Sequence, residues 1–111
     1  MLDRAHRLAL PTDFRRIIRR GTKQTSSLVV AYAAPSDRGL SRFGMVTSKA
    51  VGNAPTRNRV RRQLRAIAWE VKDNYSADFV IRALPAAAQS SWEELHTDVL
   101  RAIRTLGEQL Q

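Results

Sequence analysis

A chain of 111 residues with 43% apolar content can fill one small core and has no room for a second, so a single domain over residues 1–111 is expected. Nineteen Lys and Arg against ten Asp and Glu give a net charge of +9, which points to a polyanionic partner. The absence of cysteine excludes a disulfide framework and thiolate metal sites, and no apolar run approaches the length of a membrane span.

The charge is unevenly spread. Residues 1–69 hold 15 Lys/Arg and 3 Asp/Glu, whereas residues 70–111 hold 4 and 7. The basic surface therefore belongs to the first two thirds of the chain. The start, Met-Leu-Asp-Arg-Ala-His-Arg, lacks a signal-peptide core, so a cytoplasmic protein is expected.

Residues 1–10 are basic and without periodicity, consistent with a flexible arm or an extended segment lying on the domain. Thr12 is placed to cap a two-turn helix with Phe14, Ile17 and Ile18 on one face and Gly21 as its stop. Arg15, Arg16, Arg19 and Arg20 fill the other face. So short a basic amphipathic helix buries too little apolar area to hold a protein on a membrane.

The polar run from Thr22 to Ser27 leads into Leu28–Ala34, whose Val and Tyr content predicts a strand with Leu28, Val30 and Tyr32 on one face. Pro35-Ser36-Asp37-Arg38-Gly39 has turn chemistry, and Ser41 to Ser48 is expected to return as the second strand of a hairpin.

Gly52-Asn53 offers a turn and an N-cap, and Pro55 suits a first helical turn, so a helix is expected from about Pro55 to about Lys72. Val60, Leu64, Ile67, Ala68 and Val71 fall on one side of it as a core stripe, with Arg57, Asn58, Arg61, Arg62 and Arg65 on the other. No acidic residue occurs between Asp37 and Glu70. Like charges crowded on one rigid face repel, and a polyanion that pairs with several of them relieves the repulsion.

Asp78 to Leu84 is a third strand, closed by Pro85. Ser91 and Glu94 form a capping box ahead of Trp92, Leu95, Val99, Ile103 and Leu106, a helical stripe placed to pack on the sheet. Helix, strand, strand, helix, strand, helix is the order of an α+β fold with a small mixed sheet.

The material for protein-based RNA cleavage is poor. His6 and His96 are far from each other and from the arginine cluster of residues 57–65 in sequence, and Glu93 and Glu94 point in different directions on a helix. General acid–base or two-metal chemistry needs groups that converge on one phosphate. No catalytic or metal-binding residue is therefore assigned. An RNA-binding role fits better, with a ribosomal-type protein as the alternative. A helix-turn-helix is excluded by the strand ahead of Lys49, so no DNA partner is expected.

Ser48-Lys49-Ala50-Val51-Gly52-Asn53-Ala54, followed by Arg57-Asn58-Arg59-Val60-Arg61-Arg62-Gln63-Leu64-Arg65, resembles the signature of the bacterial ribonuclease P protein subunit. The likeness covers nearly the whole chain. It implies three strands in the first sheet region and a left-handed crossover joining the last two strands across the arginine helix. It also implies two partners, a catalytic RNA that uses Mg²⁺ and the precursor tRNA whose 5′ leader is removed. By the same likeness Lys49, Asn53, Arg57, Asn58, Arg59, Arg61, Arg62 and Arg65 contact RNA, and Phe14, Ile18, Tyr32 and Ser48 line a leader-binding cleft. A Phe at helical apolar spacing is also a common core residue. The chain departs from the commoner pattern at Ile18, Ala50, Pro55 and Arg82.

Overall fold

The computed structural model describes residues 2–110. A single turn of 3-10 helix at Arg4–His6 precedes α1 (Pro11–Arg20), β1 (Thr22–Thr25), β2 (Val29–Pro35) and β3 (Arg42–Val46). Then come α2 (Ala54–Val71), β4 (Ala77–Ala83), a second 3-10 turn (Pro85–Ala88) and α3 (Trp92–Gln109). The four strands form one mixed sheet in the order β1-β2-β4-β3.

That order corrects the expected hairpin. β3 does not return along β2; β4 lies between them, antiparallel to β2 and parallel to β3. The reason lies in side-chain polarity. β4 buries every residue but Arg82 and β2 every residue but Pro35, so both faces of these strands need cover and they take the centre of the sheet. The polar β1 and the partly exposed β3 are left at its edges. β1 itself arises from the stretch read as a polar run. It pairs with β2 through four residues, and the Ser26 hydroxyl closes the turn by accepting from the Val29 N–H at 3.1 Å.

Each sheet face carries its own apolar layer. α2 and α3 cover one face, where Phe43 and Phe79 stack at 5.0 Å among Val60, Leu64, Ile67, Leu95, Val99, Ile103 and Leu106. The other face lies under α1, with Leu8, Ile17, Val30, Tyr32, Ala34 and Val80 buried together. Leu2 is buried in the first layer and Leu8 in the second, so the N-terminal segment is the extended, docked form of the two expected. The Leu8 N–H donates to the Phe43 carbonyl at 2.9 Å and fixes it there.

α1 starts one residue before Thr12, with Leu10 as N-cap and Pro11 at the first helical position. Proline suits that position because the N–H it lacks has no partner within the helix. The capping box of α3 forms as expected: Ser91 N–H donates to Glu94 Oε1 at 2.8 Å, and Glu94 N–H donates to Ser91 Oγ at 3.1 Å.

Candidate nucleic-acid interface

α2 begins where the sequence marks it. Asn53 Oδ1 accepts from the Thr56 N–H at 3.0 Å, and Gly52 turns the chain into the helix with φ +154°. That conformation is strained for any side chain, and a Cβ at residue 52 would also crowd Thr56. The apolar stripe faces the sheet with Val60, Leu64, Ile67 and Ala68 buried and Val71 half-buried. The opposite stripe is thereby fixed outward.

The outward arginines are not equivalent. Arg61 donates through Nη1 to Asn58 Oδ1 at 3.0 Å and through Nη2 to Thr47 Oγ1 at 2.6 Å, which ties the helix to the loop after β3. Two of its five N–H donors are used and the rest stay available. Arg62 and Arg65 converge on Arg7 of the N-terminal segment, and with Ala66 these side chains line a cavity of about 190 Å³. Partial burial lowers the pKa of Arg65 below the ordinary arginine value, and the positive charges of Arg7 and Arg61 lower it further. Such crowding destabilises the free protein and favours an anion.

Arg59 points elsewhere. Its Nη2 donates to the Ala88 carbonyl at 2.7 Å and pins the turn ahead of α3. Arg57 is half-buried in the first turn of α2, while Ser48, Lys49, Asn53 and Asn58 are exposed beside it. Arg7 is the residue that sequence reasoning missed. Nothing periodic marks it, and only the docking of the first residues brings it to α2.

The sheet face under α1 forms a second surface. Strand registers place side chains on it in three cross-strand rows: Ala34, Asp78 and Arg42; then Lys23, Tyr32, Val80 and Gly44; then Thr25, Val30, Arg82 and Val46. In the first row the buried Asp78 accepts from Arg42 Nε at 2.9 Å and Nη2 at 2.8 Å, and from Arg16 Nη2 at 2.8 Å. This clamp holds α1 on the sheet. Asp78 in turn raises the pKa of Arg42. In the second row Gly44 leaves room for the Phe14 ring.

Of the expected cleft residues, Phe14 is half-buried and Ile18 is 38% exposed on α1. Tyr32 is only 7% exposed, so its ring is mostly part of the packed layer. Ser48 lies two residues beyond Val46 at the far end of β3. Phe14 and Ile18 thus offer more apolar surface than Tyr32 does.

The histidines are apart. His6 Nδ1 lies 2.6 Å from Asp3 Oδ1 and lowers the pKa of that carboxyl, whereas His96 Nε2 lies 2.9 Å from Glu70 Oε1. Among the described residues no group of three or more His, Cys, Asp or Glu is placed to hold a metal ion.

Residues 2–107 match the family model described as Ribonuclease P. The chain belongs to the ribonuclease P protein family. The Ribonuclease P protein component of Corynebacterium diphtheriae is 45% identical, with 96% of this chain and 97% of the relative covered. That of Clavibacter michiganensis is 40% identical, covering 96% of this chain and all of the relative. The fold is shared with the RNase P protein of Staphylococcus aureus at a TM-score of 0.84 and 23% identity, covering 92% and 95% of the two chains. The RNase P protein from Thermotoga maritima has a TM-score of 0.78 at 22% identity, covering 92% and 96%. Ribonuclease P membership also agrees with the α+β fold and with three strands ahead of the arginine helix.

Proposed function

We propose that this chain is the RNA-binding subunit of a cytoplasmic ribonuclease P, whose RNA partner cleaves precursor tRNA to give the mature 5′ end. The observation that carries the reading is the convergence of Arg7, Arg61, Arg62 and Arg65 on one face with no carboxylate among them. A rigid array of guanidiniums pairs with several phosphates at once. That face holds the catalytic RNA. The sheet face under α1 takes the single-stranded leader, with Phe14 and Ile18 against its bases.

Chemistry is left to the RNA and its Mg²⁺. The two histidines sit on different elements and each is engaged with one carboxylate, whereas general acid–base cleavage needs two groups that converge on one phosphate.

Sequencing the RNA that co-purifies with the chain tests this. One small stable RNA together with tRNA precursors is expected. Co-sedimentation with ribosomal RNA alone would place the chain among ribosomal proteins.

A further inference from the structure

The third row of the sheet face holds an arginine that belongs to neither the Asp78 clamp nor the α2 array. Arg82 lies on the central strand β4, flanked across the sheet by Val30 on β2 and Val46 on β3. It is the one exposed residue of β4. A central strand position normally takes an apolar side chain, and the other β4 residues on this face, Asp78 and Val80, are buried. Among the described residues no hydrogen bond or ion pair engages the Arg82 guanidinium. By contrast, Arg16 and Arg42 on the same face are both bound to Asp78. A central-strand position between two valines thus carries a positive charge without a partner among the described residues.

Its position is a junction. Val46 continues into Thr47, whose hydroxyl accepts from Arg61 of α2. One row back from Arg82 lie Tyr32 and Gly44, the latter under the Phe14 ring. Arg82 therefore stands between the aromatic part of the sheet face and the arginine face of α2.

We propose that Arg82 binds a backbone phosphate of the RNA single strand as it passes from the α1 side of the sheet toward α2. The inference rests on reading this face as the leader-binding surface. A planar guanidinium with five donors binds a phosphate in two-pronged fashion, and the exposed position of Arg82 leaves its donors open to one. The contact is blind to base identity, so it sets the path of the leader and not its sequence preference.

The test uses the assembled complex with the catalytic RNA. Binding is measured for mature tRNA, for precursor tRNA, and for precursors carrying one neutral methylphosphonate linkage at successive leader positions. Wild type should lose about tenfold in affinity at one linkage, the scale of one charged hydrogen-bonded contact. Arg82→Ala should bind the unmodified precursor about tenfold more weakly and be insensitive to that linkage, with mature tRNA binding and melting temperature unchanged. Arg82→Lys should restore most of the loss.

Phe14→Leu serves as the control for the surface itself. If it weakens precursor binding while Arg82→Ala behaves as wild type toward every linkage, the phosphate assignment is wrong and the leader surface stands. If wild type binds precursor and mature tRNA equally, the leader surface is wrong and the inference falls with it.

Discussion

Phe14 on α1 occupies the space that a side chain at Gly44 would need. A Cβ added at residue 44 would overlap the Phe14 ring and approach Leu8 Cβ to 3.3 Å. The glycine on an edge strand thus seats the helix on the sheet. Gly44→Ala should displace the ring, cost ~1–3 kcal/mol by overpacking, and weaken precursor binding more than assembly with the catalytic RNA. Denaturant titration beside the two binding constants checks this, and equal losses for both RNAs would contradict it.

The Asp78 clamp makes a larger demand. Its carboxylate is fully buried, and Arg42 beside it is nearly so, at 11% side-chain exposure. Asp78→Ala would strand that guanidinium, and the expected loss is ~3–5 kcal/mol. Arg16→Ala should cost far less, because its partner keeps Arg42 and its own side chain is 39% exposed. Equal losses in the two variants would show that burial is not what sets the scale.

The arginines of α2 should separate by direction. Arg62→Ala, Arg65→Ala and Arg7→Ala should each flatten the salt dependence of RNA binding by about 0.7 to 0.9 for every phosphate left without its guanidinium. Arg59→Ala should instead lower thermal stability by ~1–3 kcal/mol, the worth of a charged hydrogen bond to a carbonyl, which Arg62→Ala should not. Unchanged slopes for Arg7, Arg62 and Arg65 together would move the RNA off this face.

Acid should loosen α3 at its start. The Ser91 N–H and hydroxyl stabilise the Glu94 carboxylate, so its pKa is lower in the folded protein than in the unfolded chain. The stabilisation is complete above the ordinary Glu value of about 4.3 and is lost as pH falls through the lowered folded value. Melting curves of wild type and Glu94→Gln should therefore differ near neutrality and converge in acid. A difference that persists at the lowest pH would assign the effect to something other than the charge.

Much of the fold was legible in the sequence because the signals are local. The stripe of Val60, Leu64, Ile67 and Ala68, the Asn53 cap and the Ser91–Glu94 box depend on neighbours within a turn or two, and the structure has each of them. The strand order was not legible from the residue pattern, although the likeness to the family implied that the last two strands join across the arginine helix. Which strand lies between β2 and β3 is decided by the burial of β4, on the far side of α2 in the chain, while the turn at Pro35–Gly39 reads like a hairpin. The likeness to the family implied β1, but the residue pattern did not mark it, because an edge strand needs no apolar alternation. At the candidate site, Arg61, Arg62 and Arg65 could be read from helical spacing, whereas Arg7 joins them only through the docked N-terminal segment. Arg59 shares their composition and not their direction, a distinction set by the Ala88 carbonyl.

The most direct test is cleavage of precursor tRNA at low Mg²⁺ by the catalytic RNA alone, by the chain alone, and by the two together. We expect the mature 5′ end to appear fastest with both present, slowly or not at all with RNA alone, and never with the chain alone. Metal-dependent cleavage at that position by RNA-free protein, or no gain when the chain is added to the RNA, would contradict the account.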